Sequence, residues 1–487
     1  MKYDEALLTS SNATINPENF SKARELSWCL IILLLFVFFE DFFRMVLPSG
    51  NVIWLLAKDG FLLFLYFLTL SYVCKFKFSF ILPRQAIPVV AYFLFSLSIY
   101  IYSIFGHDDI PIALALIGAR GDLFYVPIAI LMIYSLSTWG FHENLFRLVA
   151  SMAILNIIVA CAQIFLPDLT NSIPGLHGLD EEGIFSQKGR SFGNTILDYI
   201  YGIFGTVAKF TRNMLHIFIW IIVLHLVFRL GKQWQVLSIL FIMGPILALS
   251  GKRLPALIWL LYVTYIPLVI FFASSLIGNK KTFKRFNEDG MISLRNKFVF
   301  TFLMISISVT IFLVLNQDFI IYAEMFLYIV TNEIHLRFFA ENVAGYFFQA
   351  ELNSIKAMEA LFGQGAGTSS IGTQYVMSEA DRLIMDIHNV EHGPLKVWLE
   401  FGVLGLIQMA ILALGIAYLD FQILKRTVNY PRLFVATNII SLYHFSVFLS
   451  FFVGHSYWSD VQIQIHFWML TGLQIWIGSI GFNKLTD

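Results

Sequence analysis

The residues best suited to chemistry lie late in the chain. His388 carries an imidazole, a group able to take a proton from a hydroxyl near neutral pH. With Glu391 and His392 it spells H-x-x-E-H, the inverted zinc-peptidase pattern, in which helical spacing turns both imidazoles to one face. Gly393-Pro394 follows at once, and proline disfavours helix at the residue before it, which speaks against one rigid metal-binding helix. Four arginines could grip a phosphate, since a guanidinium binds it bidentately and stays charged. Arg190 lies in Gly189-Arg190-Ser191-Phe192-Gly193-Asn194, read as flexible backbone presenting one cation, and Arg253 closes Ser250-Gly251-Lys252-Arg253. Arg120 interrupts an apolar run, and Arg337 lies off an apolar stripe of Phe338, Phe339, Val343, Tyr346 and Phe347. Each also reads as an ordinary interfacial base. In Leu361-Phe362-Gly363-Gln364-Gly365-Ala366-Gly367-Thr368, Gly363 is a helix stop, and Gly363, Gly365 and Gly367 permit tight turns and close backbone approach to a ligand. The turn lacks a preceding strand and a Gly-Lys-Ser/Thr ending, so it is no nucleotide loop, and a plain connector fits it equally well.

The elements that must position these residues are membrane helices. The chain has 487 residues, 58% of them hydrophobic and only 13% charged, with 50 Phe, more apolar surface than a soluble core absorbs. Zero net charge gives no reason to expect nucleic acid as a partner. Cys29, Cys74 and Cys161 are far apart in apolar runs and read as small buried residues, not as a disulfide or metal set. The expected fold class is all-α, a polytopic integral membrane protein with about 12 spans of roughly 20 residues each. The spans fall near 26–47, 52–74, 86–105, 112–136, 147–166, 213–230, 235–251, 254–277, 298–316, 393–419, 433–453 and 461–481. Residues 1–25 form a polar tail, and 26–487 one membrane domain. Within it, 167–212 is a first outer loop whose 194–212 part is re-entrant or interfacial, and 317–388 is a long outer helical loop between spans 9 and 10.

The Lys/Arg bias sets the orientation. Lys22, Arg24, Lys75, Lys77, Arg84, Arg229, Lys232, the cluster from Lys280 to Lys297, Lys425, Arg426, Arg432 and Lys484 all fall on one side of a twelve-span chain. That side is the cytoplasm, with both termini inside. Charges within spans are expensive and mark functional candidates. Glu40, Asp41, Arg44, Lys58, Asp59, Arg120, Lys396, Glu400, Asp460 and His466 all fall in outer halves, while the inner halves look clean. Snorkelling and local pairs such as Glu40–Arg44 at i,i+4 explain any one of them, whereas the coincidence across spans suggests a hydrated outward cavity. His444, mid-span, reads as a satisfied core histidine.

In its carboxy-terminal half the chain resembles the bacterial O-antigen ligase and O-antigen polymerase family of membrane glycosyltransferases. The resemblance rests on the Leu361–Gly367 turn and on His388, Asn389, Leu395, Glu400, Gly402, Gly405 and Leu406, with weaker matches at Gly189–Asn194 and Ser250–Arg253. The first outer loop lacks the usual Asn-Pro-Asn-like sequence, and Gly251-Lys252 interrupts the usual Ser-Arg. The resemblance implies glycan transfer from an undecaprenyl-diphosphate carrier at the periplasmic face of the bacterial inner membrane. The acceptor is another lipid-linked glycan for a polymerase, the leading expectation, or lipid A–core for a ligase. It implies no cofactor and no metal, because the diphosphate leaving group is already activated. On this reading His388 deprotonates the acceptor for an inverting displacement, Arg190 and Arg337 clamp the diphosphate with Arg120 and Arg253 as further candidates, and Asn389, Glu400, Gly363 and Gly365 support them. A chain-length regulator and a flippase of the same pathway are possible partners. Two other classes stay open: a transporter, which would carry polar residues through the midplane and inner half, and a zinc membrane peptidase.

Overall fold

The computed structural model describes residues 17–46, 51–76, 82–106, 112–138, 140–166, 190–192, 195–197, 207–249, 261–271, 292–293, 295–297, 299–300, 362–363, 365, 393–453, 461–479 and 482. The helices are α1 (Pro17–Val46), α2 (Asn51–Phe76), α3 (Ile87–Gly106), α4 (Ile112–Asp122), α5 (Ile128–Leu136), α6 (Phe141–Phe165), α7 (Val207–Phe228), α8 (Gln233–Leu249), α9 (Leu261–Phe271), α10 (Gly393–Thr427), α11 (Pro431–Val453) and α12 (Val461–Gly478). A short antiparallel pair, β1 (Arg190–Phe192) and β2 (Thr195–Leu197), is the one sheet among the described residues.

Two helices form the centre. Every residue from 213 to 227 of α7 and from 462 to 478 of α12 is buried, the mark of a helix surrounded by other helices. Around them α5, α6, α10 and α11 pack, and α1 reaches α12 through Gln462. Close approach of α12 to α5 depends on Gly472, where a Cβ would meet the Ala129 carbonyl and Met132 Cβ. The perimeter has the opposite composition outward: Phe67, Ile87, Phe105, Leu414, Phe421 and Phe445 are each more than half exposed. Four described helices are long and apolar enough to cross a bilayer, lying within Arg84–Phe105, Phe141–Gln163, Lys396–Thr427 and Pro431–Phe451. The chain is a helical membrane protein.

Contacts fix how the ends are arranged. We call the end where α10 begins the upper end. There the last turns of α1 and α3 meet the first turns of α12 and α10: Gln462 Nε2 donates to the Val37 carbonyl at 3.4 Å, and the rings of Tyr100 and Phe401 lie 5.0 Å apart. At the lower end Arg426 donates to the Gly478 carbonyl at 2.6 Å, and Gln85 donates to the same oxygen at 3.1 Å. Neighbouring helices α3 and α10 therefore run antiparallel, as alternate spans should.

Among the described residues most of the expected helices recur, with three differences. The fourth expected span is two helices, α4 and α5, separated by turns at 123–127. Pro127 supplies no N–H for the Leu123 carbonyl, and its ring excludes a straight helix. The Ile128 N–H instead bonds the Tyr125 carbonyl at 3.1 Å, which leaves the Phe124 carbonyl to accept Tyr66 Oη at 2.7 Å. Second, α1 begins at Pro17 and α7 at Val207, so helix replaces part of the expected tail and of the 194–212 segment. Third, β1 and β2 stand where flexible backbone was expected, with Phe192 opposite Thr195. Gly193-Asn194 between them is a dipeptide suited to a two-residue hairpin loop. The ninth span beyond residues 299–300, and the long loop 317–388 apart from residues 362, 363 and 365, lie outside the described residues.

Candidate functional site

At the upper end the charges predicted in separate spans come together in pairs. Lys58 of α2 donates to Glu40 of α1 at 2.6 Å, with side chains only 1% and 6% exposed. One residue on, Asp59 accepts Arg120 Nε, and it accepts Tyr125 Oη at 2.7 Å. The break before α5 is what turns Tyr125 back toward Asp59. Glu40 thus reaches across to α2, a partner the expectation of an i,i+4 pair with Arg44 did not contain. Arg120 is engaged through Nε only. Its Nη groups make no other hydrogen bond among the described residues, and 29% of the side chain is exposed.

The glycine turn docks at the same end of the bundle. Phe362 stacks on Tyr102 with ring centroids 4.6 Å apart. Gly363 ends that helical residue with φ +73°, the left-handed stop expected of it, and Gly365 has φ +108°. The Gly365 N–H donates to the Glu400 carbonyl at 3.0 Å. A Cβ on Gly363 would overlap the Glu400 and Phe401 backbone, so the turn lies directly on α10. Gly402 is non-helical there, at φ 58° and ψ −144°, and the interrupted ladder leaves the Glu400 carbonyl available to the turn. Close backbone approach, expected toward a ligand, is made here to α10. Ile99, Tyr100, Ala115 and Phe401 form a small cluster joined by Ala119 and Leu404, so Arg120 and Glu400 each adjoin a member of it.

Of the predicted site residues, Arg120, Glu400, Gly363 and Gly365 are therefore brought to one end of the bundle. Arg190 lies in β1 opposite Leu197. His388, Asn389, Arg337 and Arg253, the H-x-x-E-H residues and the border of the expected outward cavity lie outside the described residues. A described cleft of about 460 Å³ lies elsewhere, at the lower end between Trp234 of α8 and Asn296, Lys297 and Phe300.

Of a second polar region, only His444 and His466 were anticipated. In the core, Asn213 of α7 donates to Gln462 of α12 at 2.6 Å, and Trp220 Nε1 donates to His466 Nδ1 at 3.1 Å. The His216 and His466 rings lie 4.6 Å apart, and His216 meets Tyr443 of α11 edge-on at 5.5 Å. Further down, His444 bonds Asp420 and Thr471, and Gln474 bonds Asp420. His444 is thus the satisfied core histidine expected, but the inner half is not clean. Polar side chains run through the middle of the bundle, which removes the sequence argument against a transporter.

No protein-family model matches the chain, and no curated protein matches it.

Proposed function

We propose that the chain is a membrane glycosyltransferase that takes glycan from an undecaprenyl-diphosphate carrier at the periplasmic face of the bacterial inner membrane. The observation that carries this reading is the placement of the glycine turn, Glu400 and a partly exposed Arg120, whose Nη donors are unused among the described residues, at one end of the bundle. The turn and Glu400 belong to the O-antigen polymerase and ligase pattern that also contains His388, and Arg120 is a further clamp candidate beside them. Arg120, with Arg190, Arg337 and Arg253, offsets the charge that grows on the departing diphosphate. His388 takes the proton from the acceptor hydroxyl, the oxygen attacks the anomeric carbon, and the carrier diphosphate leaves with the bonding electrons. No cofactor enters. Polymerisation of repeat units is the leading form, with transfer to lipid A–core the alternative. The upper end then faces the periplasm, the termini lie in the cytoplasm across twelve spans, and a chain-length regulator and flippase are the natural partners.

The test is a strain lacking the gene, complemented with wild type or His388→Ala, with surface glycan displayed on a gel. A single-repeat product marks a polymerase. Uncapped lipid A–core with accumulated carrier-linked polymer marks a ligase. Normal glycan from well-expressed His388→Ala removes the base. In a companion variant, Arg190→Lys, full activity would argue against bidentate phosphate binding there.

One observation favours a second reading, a polysaccharide or lipid transporter: the buried polar file between α7, α11 and α12. Under that reading the deletion strain retains carrier-linked units on the cytoplasmic leaflet.

A further inference from the structure

Between α10, α11 and α12 lies a set of polar side chains that glycosyl transfer does not use. His444 is 1% exposed, and its Nδ1 lies 3.1 Å and 3.2 Å from the two carboxylate oxygens of Asp420. Its Nε2 lies 3.1 Å from Thr471 Oγ1, and Thr471 Oγ1 lies 2.8 Å from the Phe467 carbonyl. Gln474 Nε2 donates to Asp420 Oδ1 at 2.5 Å.

Donor counting decides what this set can do. An ionised Asp420, which already accepts from Gln474, can only accept, and it then requires a hydrogen on His444 Nδ1. The Thr471 hydroxyl has one hydrogen and two acceptors in reach, His444 Nε2 and the Phe467 carbonyl. With the hydrogen toward Nε2, the imidazole is neutral. With the hydrogen toward Phe467, an oxygen lone pair faces Nε2, and the site then satisfies an imidazolium with both N–H groups bonded and a carboxylate beside it. The two states differ by one proton and one hydroxyl rotation, with no movement of a helix.

We propose that Asp420, His444 and Thr471 form a reversible proton-binding site in the membrane core. On binding, an N–H bond forms at Nε2 as an O–H bond of hydronium breaks and leaves water; release is the reverse. Tyr443 adjoins His444 and packs on His216 of α7, whose ring meets His466 of α12. The Trp220 N–H keeps His466 Nδ1 an acceptor, and His216 Nδ1 is buried with no hydrogen-bond partner among the described residues. The titratable groups facing α11 in this region are thus Asp420 of α10, His216 of α7 and His466 of α12, with Tyr265 of α9 reaching Asn438 of α11 at 3.3 Å.

The test is nitrogen NMR of the full chain, labelled with ¹⁵N-histidine and reconstituted in phospholipid vesicles, scanned across about pH 5 to 8. His444→Gln assigns the signal. The expected result is an imidazolium signal from His444 at the acid end and an Nδ1–H tautomer at the alkaline end. A single neutral tautomer throughout would overturn the proposal. Thr471→Val keeps the shape and removes the oxygen. It is expected to lose the imidazolium signal at the acid end while keeping the Nδ1–H tautomer, and an unchanged imidazolium signal there would equally overturn it. Neither outcome depends on the glycan assay.

Discussion

At the upper end of the bundle, four charged side chains neutralise one another in two pairs, Glu40 with Lys58 and Asp59 with Arg120. Between α7, α11 and α12 the polar atoms are mostly amides, imidazoles and hydroxyls, with Asp420 a buried charged group among them. The first region is held by Coulomb attraction in a low-dielectric setting, where removing one partner leaves the other's buried charge less compensated. The second is held by hydrogen bonds whose donors and acceptors can be reassigned by rotating a hydroxyl. One arrangement fixes helices relative to each other, and the other can store a proton. The difference predicts unlike responses to substitution.

The largest effect is expected at Lys58. Lys58→Met leaves Glu40 buried without that cation and should lower stability by about 3–5 kcal/mol. The paired replacement, Lys58→Met with Glu40→Leu, should recover most of the loss. Thermal unfolding of detergent-solubilised protein measures both. A double variant no more stable than the single one would mean that the pair is not what holds α1 to α2.

How far the sequence revealed these two regions follows from what each is made of. Charged residues inside apolar runs stand out, so Glu40, Lys58, Asp59, Arg120 and Glu400 were all visible as candidates. Their partners were not, because local spacing compares residues on one helix only, whereas Glu40 and Lys58 belong to two helices. Apolar runs of helical length likewise announced most helices. The break at 123–127 was signalled by Gly121 and Pro127 but was hidden by the hydrophobicity around it. The core file escaped because Asn213, His216, Gln462, Gln464 and Gln474 carry no formal charge and each stands alone among apolar neighbours. Asn213 and Gln462 are 249 residues apart, and nothing in a single sequence pairs them.

Gly363→Ala tests the upper region from the turn side. Its left-handed φ and the backbone of Glu400 and Phe401 both oppose a Cβ. A loss of about 2 kcal/mol is expected from the strained conformation and the forced shift of the turn. If the glycosyl-transfer reading holds, glycan output should fall further than the amount of folded protein does. Equal falls in both would make the turn purely structural.

In the core, His444→Leu should cost about 1–3 kcal/mol, since Asp420 and Thr471 each lose a buried partner. Asp420 keeps the Gln474 amide, which is why the loss is smaller than at Lys58.

The smallest effect is expected from Trp220→Phe. The indole N–H is a donor only, and its bond to His466 Nδ1 fixes that ring as an acceptor at this nitrogen. Phenylalanine keeps the aromatic packing and removes the donor, so stability should fall by about 1 kcal/mol. The informative readout is the His466 ring. Without the indole, Nδ1 is free to carry the hydrogen, and the ¹⁵N spectrum should show a second His466 tautomer while the His444 signals stay in place. An unchanged His466 spectrum would mean that another contact sets its tautomer. Altered His444 signals would instead show that the upper and lower parts of the file respond together, because a tautomer change at His466 can reach His444 only through His216 and Tyr443 or through α12 itself.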